Sequence, residues 1–184
     1  IRCISYFRFL FVCSRSSCLL AGNFDIALEK ANKVLGVDNT NVMAWVLRSS
    51  IAMKQQNFGA ALSDIDQALS LDSENIEALS VKTMIINLQG DPEQALAVLA
   101  KAIKLEPEQL PLTMIKLSIL DGQKDYAAME EIYRELLVKQ ADASWVSISL
   151  AKLLNSQDRY ADAKQVLEQF VATHADDKQA KLLL

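Results

Sequence analysis

The chain has 184 residues, 51% of them hydrophobic, with 5 glycines, 3 prolines and a net charge of −4. Ala, Leu, Lys, Glu and Gln dominate, residues that lose little freedom in a helix, and no β-branched alternation bounded by Gly/Asn turns marks a strand, so the composition is all-α. Residues 1–24 contain Arg2, Arg8 and Arg15 and no acid, which leaves −7 (−4 minus +3) on the rest; a mildly acidic body repels phosphate backbones, and nucleic acid is excluded as a partner.

In chain order, residues 1–21 form an atypical N-terminal segment and a weak first helix. All 3 cysteines, Cys3, Cys13 and Cys18, lie there. Their odd number and the lack of a CxxC pair argue against a disulfide framework. The segment is apolar but short, and Arg8 and Arg15 interrupt it, so no transmembrane segment is predicted. It also lacks the unbroken apolar run of a signal peptide. Cys18 is read as a small packed hydrophobe rather than a lipid-bearing thiol, because Ser14-Arg15-Ser16-Ser17 precedes it. A start at Ile1 and an end after Leu182-Leu183-Leu184 read as a piece of a longer protein.

From residue 22 onward the sequence repeats. Gly22, Gln56, Gly90, Lys124 and Asp158 open matching turn-plus-helix segments, each 34 residues after the last. This register predicts units at 8–41, 42–75, 76–109, 110–143 and 144–177, an array over 22–177, and a sixth unit or capping helix starting at 178–184. A fixed period of this length marks stacked hairpins, none of which can bury its apolar face alone. Asn23, Asn57, Asp91 and Asp125 stand where a short polar side chain caps the second helix of a unit, and Pro92 occupies a first helical position. Ala27, Ala61, Ala95 and Ala163 allow two helices to approach closely. Leu62, Ile65 and Leu69, at helical spacing, supply a face to bury.

The pattern resembles the tetratricopeptide repeat family. Unit two carries it in Trp45, Ser49, Phe58, Ala61, Ala68 and Asp72. Unit three follows with Leu79, Thr83, Ala95, Ala102 and Glu106-Pro107, and unit five with Ala151, Tyr160 and Ala163. Departures are Arg15, Leu117 and Met129, where the family has small residues, and Ser147, where it has a large one. The resemblance implies a right-handed α-solenoid of five antiparallel helical hairpins, whose first helices line a concave groove. Carried onto this chain, the groove stripe takes Met43, Val46, Ser50 and Met53 from unit two. Unit three supplies Glu77, Ser80, Met84 and Asn87. Unit four adds Met114, Ser118 and Asp121, and unit five Trp145, Ile148, Lys152 and Asn155. Four of the 5 methionines fall on this stripe, and methionine adapts to apolar partners of varied shape. Family members that grip acidic C-termini place Lys and Asn where this chain has Val46 and Ser50, so a carboxylate clamp is not expected. Arg48, Lys82 and Lys116 form a basic ladder, read as stems packed on the core with heads reaching neighbouring acids.

Catalytic chemistry finds no footing. His174 is the single histidine, read as an exposed turn residue, and it has no second His or nearby Cys for a zinc site or a triad. The glycines are too scattered for a phosphate cradle. Glu130-Glu131 and Asp176-Asp177 read as solvated faces. No enzyme activity, metal or cofactor is expected. The expected function is a non-catalytic scaffold that holds a peptide or helix of a partner protein in its groove. The alternative is a structural repeat segment packing against its own longer chain, as in bacterial envelope-assembly or secretion components. Localisation stays open between cytoplasm and bacterial periplasm or envelope, and so does the oligomeric state.

Overall fold

The computed structural model describes residues 21–140, 142–177 and 180–181. The expectations for Cys3, Cys13, Cys18, the first helix of unit one and Leu182–Leu184 fall outside the described residues. Within them the chain is all helix and turn, with nine helices and no strand. They are α1 (Ala21–Val37), α2 (Val42–Lys54), α3 (Phe58–Leu71), α4 (Ile76–Leu88), α5 (Pro92–Leu105), α6 (Leu110–Gln123), α7 (Tyr126–Lys139), α8 (Ser144–Ser156) and α9 (Tyr160–Thr173). Helices α2, α4, α6 and α8 start 34 residues apart, and so do α3, α5, α7 and α9.

Local chemistry starts these helices. The side chains of Asn41, Asn57, Asn75, Asp91 and Asp125 each accept a backbone N–H from three residues on, at 2.9 to 3.3 Å. Each satisfies one of the donors that a helix start leaves open. At Asn23, expected to be such a cap, the backbone is already helical, within α1. Between the two helices of each pair the chain turns on one left-handed residue: Gln56 (φ 60°), Gly90 (φ 89°), Lys124 (φ 58°) and Asp158 (φ 61°). These four also stand 34 residues apart. So short a turn sends the second helix back along the first.

The chain divides into two compact units, Ile1–Leu112 and Thr113–Leu184. In the first, α2 and α3 run antiparallel: Ser49 Oγ donates to the Ala61 carbonyl at 2.7 Å, while Arg48 reaches Asp64. Ala61 is fully buried, and its small side chain lets the serine hydroxyl reach the facing backbone. Val46, Met53, Ile65, Ala68, Val81 and Ile85 close the core, with Trp45, Phe58 and Leu62 packed on its margin. In the second unit Val146, Leu150, Leu154, Ala163 and Leu167 are buried, and so are Leu117 and Met129, the two large residues standing where the repeat normally has small ones. Ser147 is also buried, while Trp145 is half-exposed. Among the described residues no buried side-chain polar atom lacks a hydrogen-bond partner.

Candidate protein-binding face

The stripe expected to line a groove is built on α2 and α4 in the first unit. Intervals of three and four residues place Met43, Val46, Ser50 and Met53 on one side of α2. The structure then separates them. Met43 is 49% exposed, whereas Val46 is 1% and Met53 8% exposed, both inside the core. Ser50 is buried too, and its hydroxyl donates to the Val46 carbonyl one turn back at 2.8 Å. On α4, Ser80 is buried, Met84 and Asn87 are half-buried, and Glu77 is exposed. Leu88, next along the same face, is 58% exposed. The expectation that Val46, Ser50, Met53 and Ser80 offer contact surface is therefore corrected. Helix α2 touches α1, α3 and α4 at once, which leaves it a solvent-facing strip narrower than a helical wheel suggests.

In the second unit, Met114, Ser118, Asp121, Lys152 and Asn155 are exposed and Trp145 is half-exposed. Ile148 is buried, a further correction to the stripe. The surface left in each unit is a few apolar side chains set among neutral and charged polar ones.

Two rungs of the basic ladder are engaged internally. Arg48 holds Asp64 with two bonds, Nε at 2.7 Å and Nη2 at 2.6 Å, and gives a third to Asn32 Oδ1 at 3.2 Å. Its guanidinium also lies 4.5 Å from the centre of the Trp45 ring, a cation–π contact. Lys82 Nζ meets Asp66 at 2.7 Å. Lys116 is half-buried. Two of the three rungs thus reach acids of the second helices, and charge available to a partner is reduced accordingly.

His174 differs from its reading as an exposed turn residue. It ends α9 half-buried, its ring stacked on Phe170 at 4.3 Å, with Nε2 3.1 Å from Asp142 Oδ1. Glu130 is not a solvated acid either. It accepts from Arg134 one helical turn away and from Arg159 at the start of α9, at 2.5 to 2.9 Å. The bond from Arg159 holds its carboxyl below the usual carboxylate range; partial burial opposes this and Arg134 adds to it. Sequence reasoning missed this cluster, because Glu130 and Arg159 lie 29 residues apart and no spacing rule pairs them. Among the described residues no three His, Cys, Asp or Glu side chains gather to hold a metal ion. No described helix is long and apolar enough to cross a membrane.

Residues 44–75, which cover nearly all of α2 and α3, match the family model of the tetratricopeptide repeat. Solved structures of such proteins superpose on the chain. PilF of Pseudomonas aeruginosa is 21% identical, with 98% of this chain and 80% of PilF covered at a TM-score of 0.67. MamA is 18% identical over 87% of this chain and 92% of its own, at a TM-score of 0.66. TTC0263, a thermophilic tetratricopeptide-repeat protein of Thermus thermophilus, is 19% identical, with 88% of each chain covered at a TM-score of 0.61.

The fold is that of the tetratricopeptide repeat.

No curated protein sequence matches the chain. Repeats of this kind act as interaction scaffolds for other proteins, because stacking leaves one helix of each pair along an extended face.

Proposed function

We propose that this chain is a non-catalytic scaffold that binds a peptide or helix of a partner protein on the first-helix face of its tetratricopeptide hairpins. The observation carrying this reading is a set of apolar side chains left in contact with solvent, Met43 on α2 and Met84 and Leu88 on α4. Met43 and Leu88 stay exposed on α2 and α4, and Met84 stays partly exposed while packing on the core that Val46 and Met53 fill. Burying one such side chain is worth about 1.5–3 kcal/mol, enough for two or three anchors to dominate a small interface. Glu77 and Asn87 flank these anchors and set the register of the bound segment. In the second unit, Met114 and Trp145 take the anchoring role, with Ser118, Asp121, Lys152 and Asn155 around them.

Affinity capture with the whole chain, compared with a Met43→Glu/Met84→Glu variant of equal helicity, tests the proposal. A protein retained by the first and lost by the second, with little dependence on salt, is the expected result. If both retain the same proteins, or neither retains any, the face is not a binding surface, and packing against a longer chain becomes the better account.

A further inference from the structure

The 5 methionines of the chain separate by exposure. Met43, on α2, is 49% exposed and Met114, on α6, is 39% exposed, whereas Met53 and Met129 are 8% and 7% exposed. Met84 stands between the two classes, half-buried and packed on the core of the first unit. Each compact unit therefore holds one open thioether and one closed one: Met43 and Met53 in the first, Met114 and Met129 in the second. Both open thioethers lie on first helices, on the face proposed to hold a partner, and both closed ones help to fill a core.

A thioether carries no proton that must leave before it reacts, so access to the sulfur governs its oxidation by a peroxide. The sulfur electron pair attacks one peroxide oxygen and the O–O bond breaks. That oxygen stays on sulfur as a sulfoxide, and its proton passes to the departing oxygen. Sulfur is oxidised, and hydrogen peroxide is reduced to water. Met53 and Met129 meet the oxidant only when their hairpins open locally, which slows them. The product replaces a soft apolar sulfur by a polar S=O group. At Met43 and Met114 water solvates that group, so the fold tolerates it. Beneath a bound apolar side chain the same group loses its water and gains no donor, so the contact is lost.

We propose that Met43 and Met114 are peroxide-sensitive modification sites, and that their conversion to sulfoxides switches off binding at the first-helix face while leaving the fold intact. The oxidant is hydrogen peroxide or an alkyl hydroperoxide, and the lesion is reversible by methionine sulfoxide reductases. The switch rests on this face being a binding surface. The exposure that offers Met43 and Met114 to a partner also offers them to peroxide, and one reactive anchor stands in each unit.

The test uses the whole chain with its 3 cysteines alkylated beforehand, so that only thioethers respond. Hydrogen peroxide is added, and each methionine is followed by peptide mass mapping. Met43 and Met114 should oxidise about tenfold or more faster than Met53 and Met129, with Met84 between them and helicity unchanged by circular dichroism. The oxidised chain should then retain about tenfold less of the protein that the unoxidised chain captures from a cell lysate, and methionine sulfoxide reductase should restore it. Equal rates at all five methionines, or helicity lost as Met43 and Met114 react, overturns the proposal. Capture that oxidation leaves unchanged overturns it too, and then the face still binds and only the switch fails. If the unoxidised chain captures nothing, the binding surface itself fails and the switch goes with it.

Discussion

Arg48 shows how much one side chain can be asked to do in a repeat of this size. It covers the Trp45 ring and reaches back to Asn32 on α1. Its two-bond clasp on Asp64 ties α2 to α3. Asp64 is buried at 7% exposure, while the Arg48 side chain keeps 28%, so the pair lies between a surface bridge and a core one. Removing one partner of a deeply buried pair costs more than removing one in water. Asp64→Ala is therefore expected to destabilise by ~1–3 kcal/mol in urea unfolding, and a double-mutant cycle with Arg48→Met should return a favourable coupling. Glu130 makes a different prediction. Its carboxyl is held below the usual range, mainly by Arg159, so its contribution is complete above that range and lost as pH falls through its lowered folded value. Thermal melts should show Glu130→Gln losing less stability than the native chain between neutral and acidic pH. A third prediction separates two methionines on one stripe. Met53→Glu places a charge in the core and should cost several kcal/mol, enough to lower helicity, whereas Met84→Glu should leave helicity intact. Circular dichroism of the two variants decides it.

At the scale of elements, the turn inside each hairpin demands one residue at positive φ, and only one of the four places holds glycine. At Gly90 an added Cβ would meet nothing within 4 Å, so Gly90→Ala tests backbone strain alone. The expected cost is ~1–2 kcal/mol. Helix starts offer the opposite change. The cap of α8 is Ala143, in an extended conformation and with no side-chain bond, where α2 and α4 have Asn41 and Asn75. Ala143→Asn should therefore raise stability by ~1 kcal/mol, read from a chemical-denaturation midpoint. Caps of this kind were legible in the sequence wherever a short polar residue recurred at the repeat spacing: Asn57, Asp91 and Asp125 were expected and found. Asn41 and Asn75 obey the same period and cap the first helices α2 and α4. Asn23 has the same spacing, but the described part of α1 already includes it. Left-handed geometry at Gln56, Lys124 and Asp158 was not legible, since these side chains do not advertise positive φ as glycine does.

For the whole molecule, an acidic chain of helical hairpins carrying the tetratricopeptide fold is readable in the sequence, and the reason is physical. Helix propensity, caps and the close approach of small residues are local properties, and a 34-residue period repeats them until chance is an inadequate explanation. The sequence by itself therefore determined the helical class, the phase of the repeat and the side of each first helix on which Met43, Met53 and Met84 lie. It could not say which of them meet water. Val46, Ser50, Met53, Ser80 and Ile148 share the spacing of their exposed neighbours but are buried by helices that precede and follow in space. Arg48 and Glu130 likewise found partners 16 and 29 residues away. Burial and ion pairing are sums over neighbours brought together by folding, so only the tertiary structure could decide them.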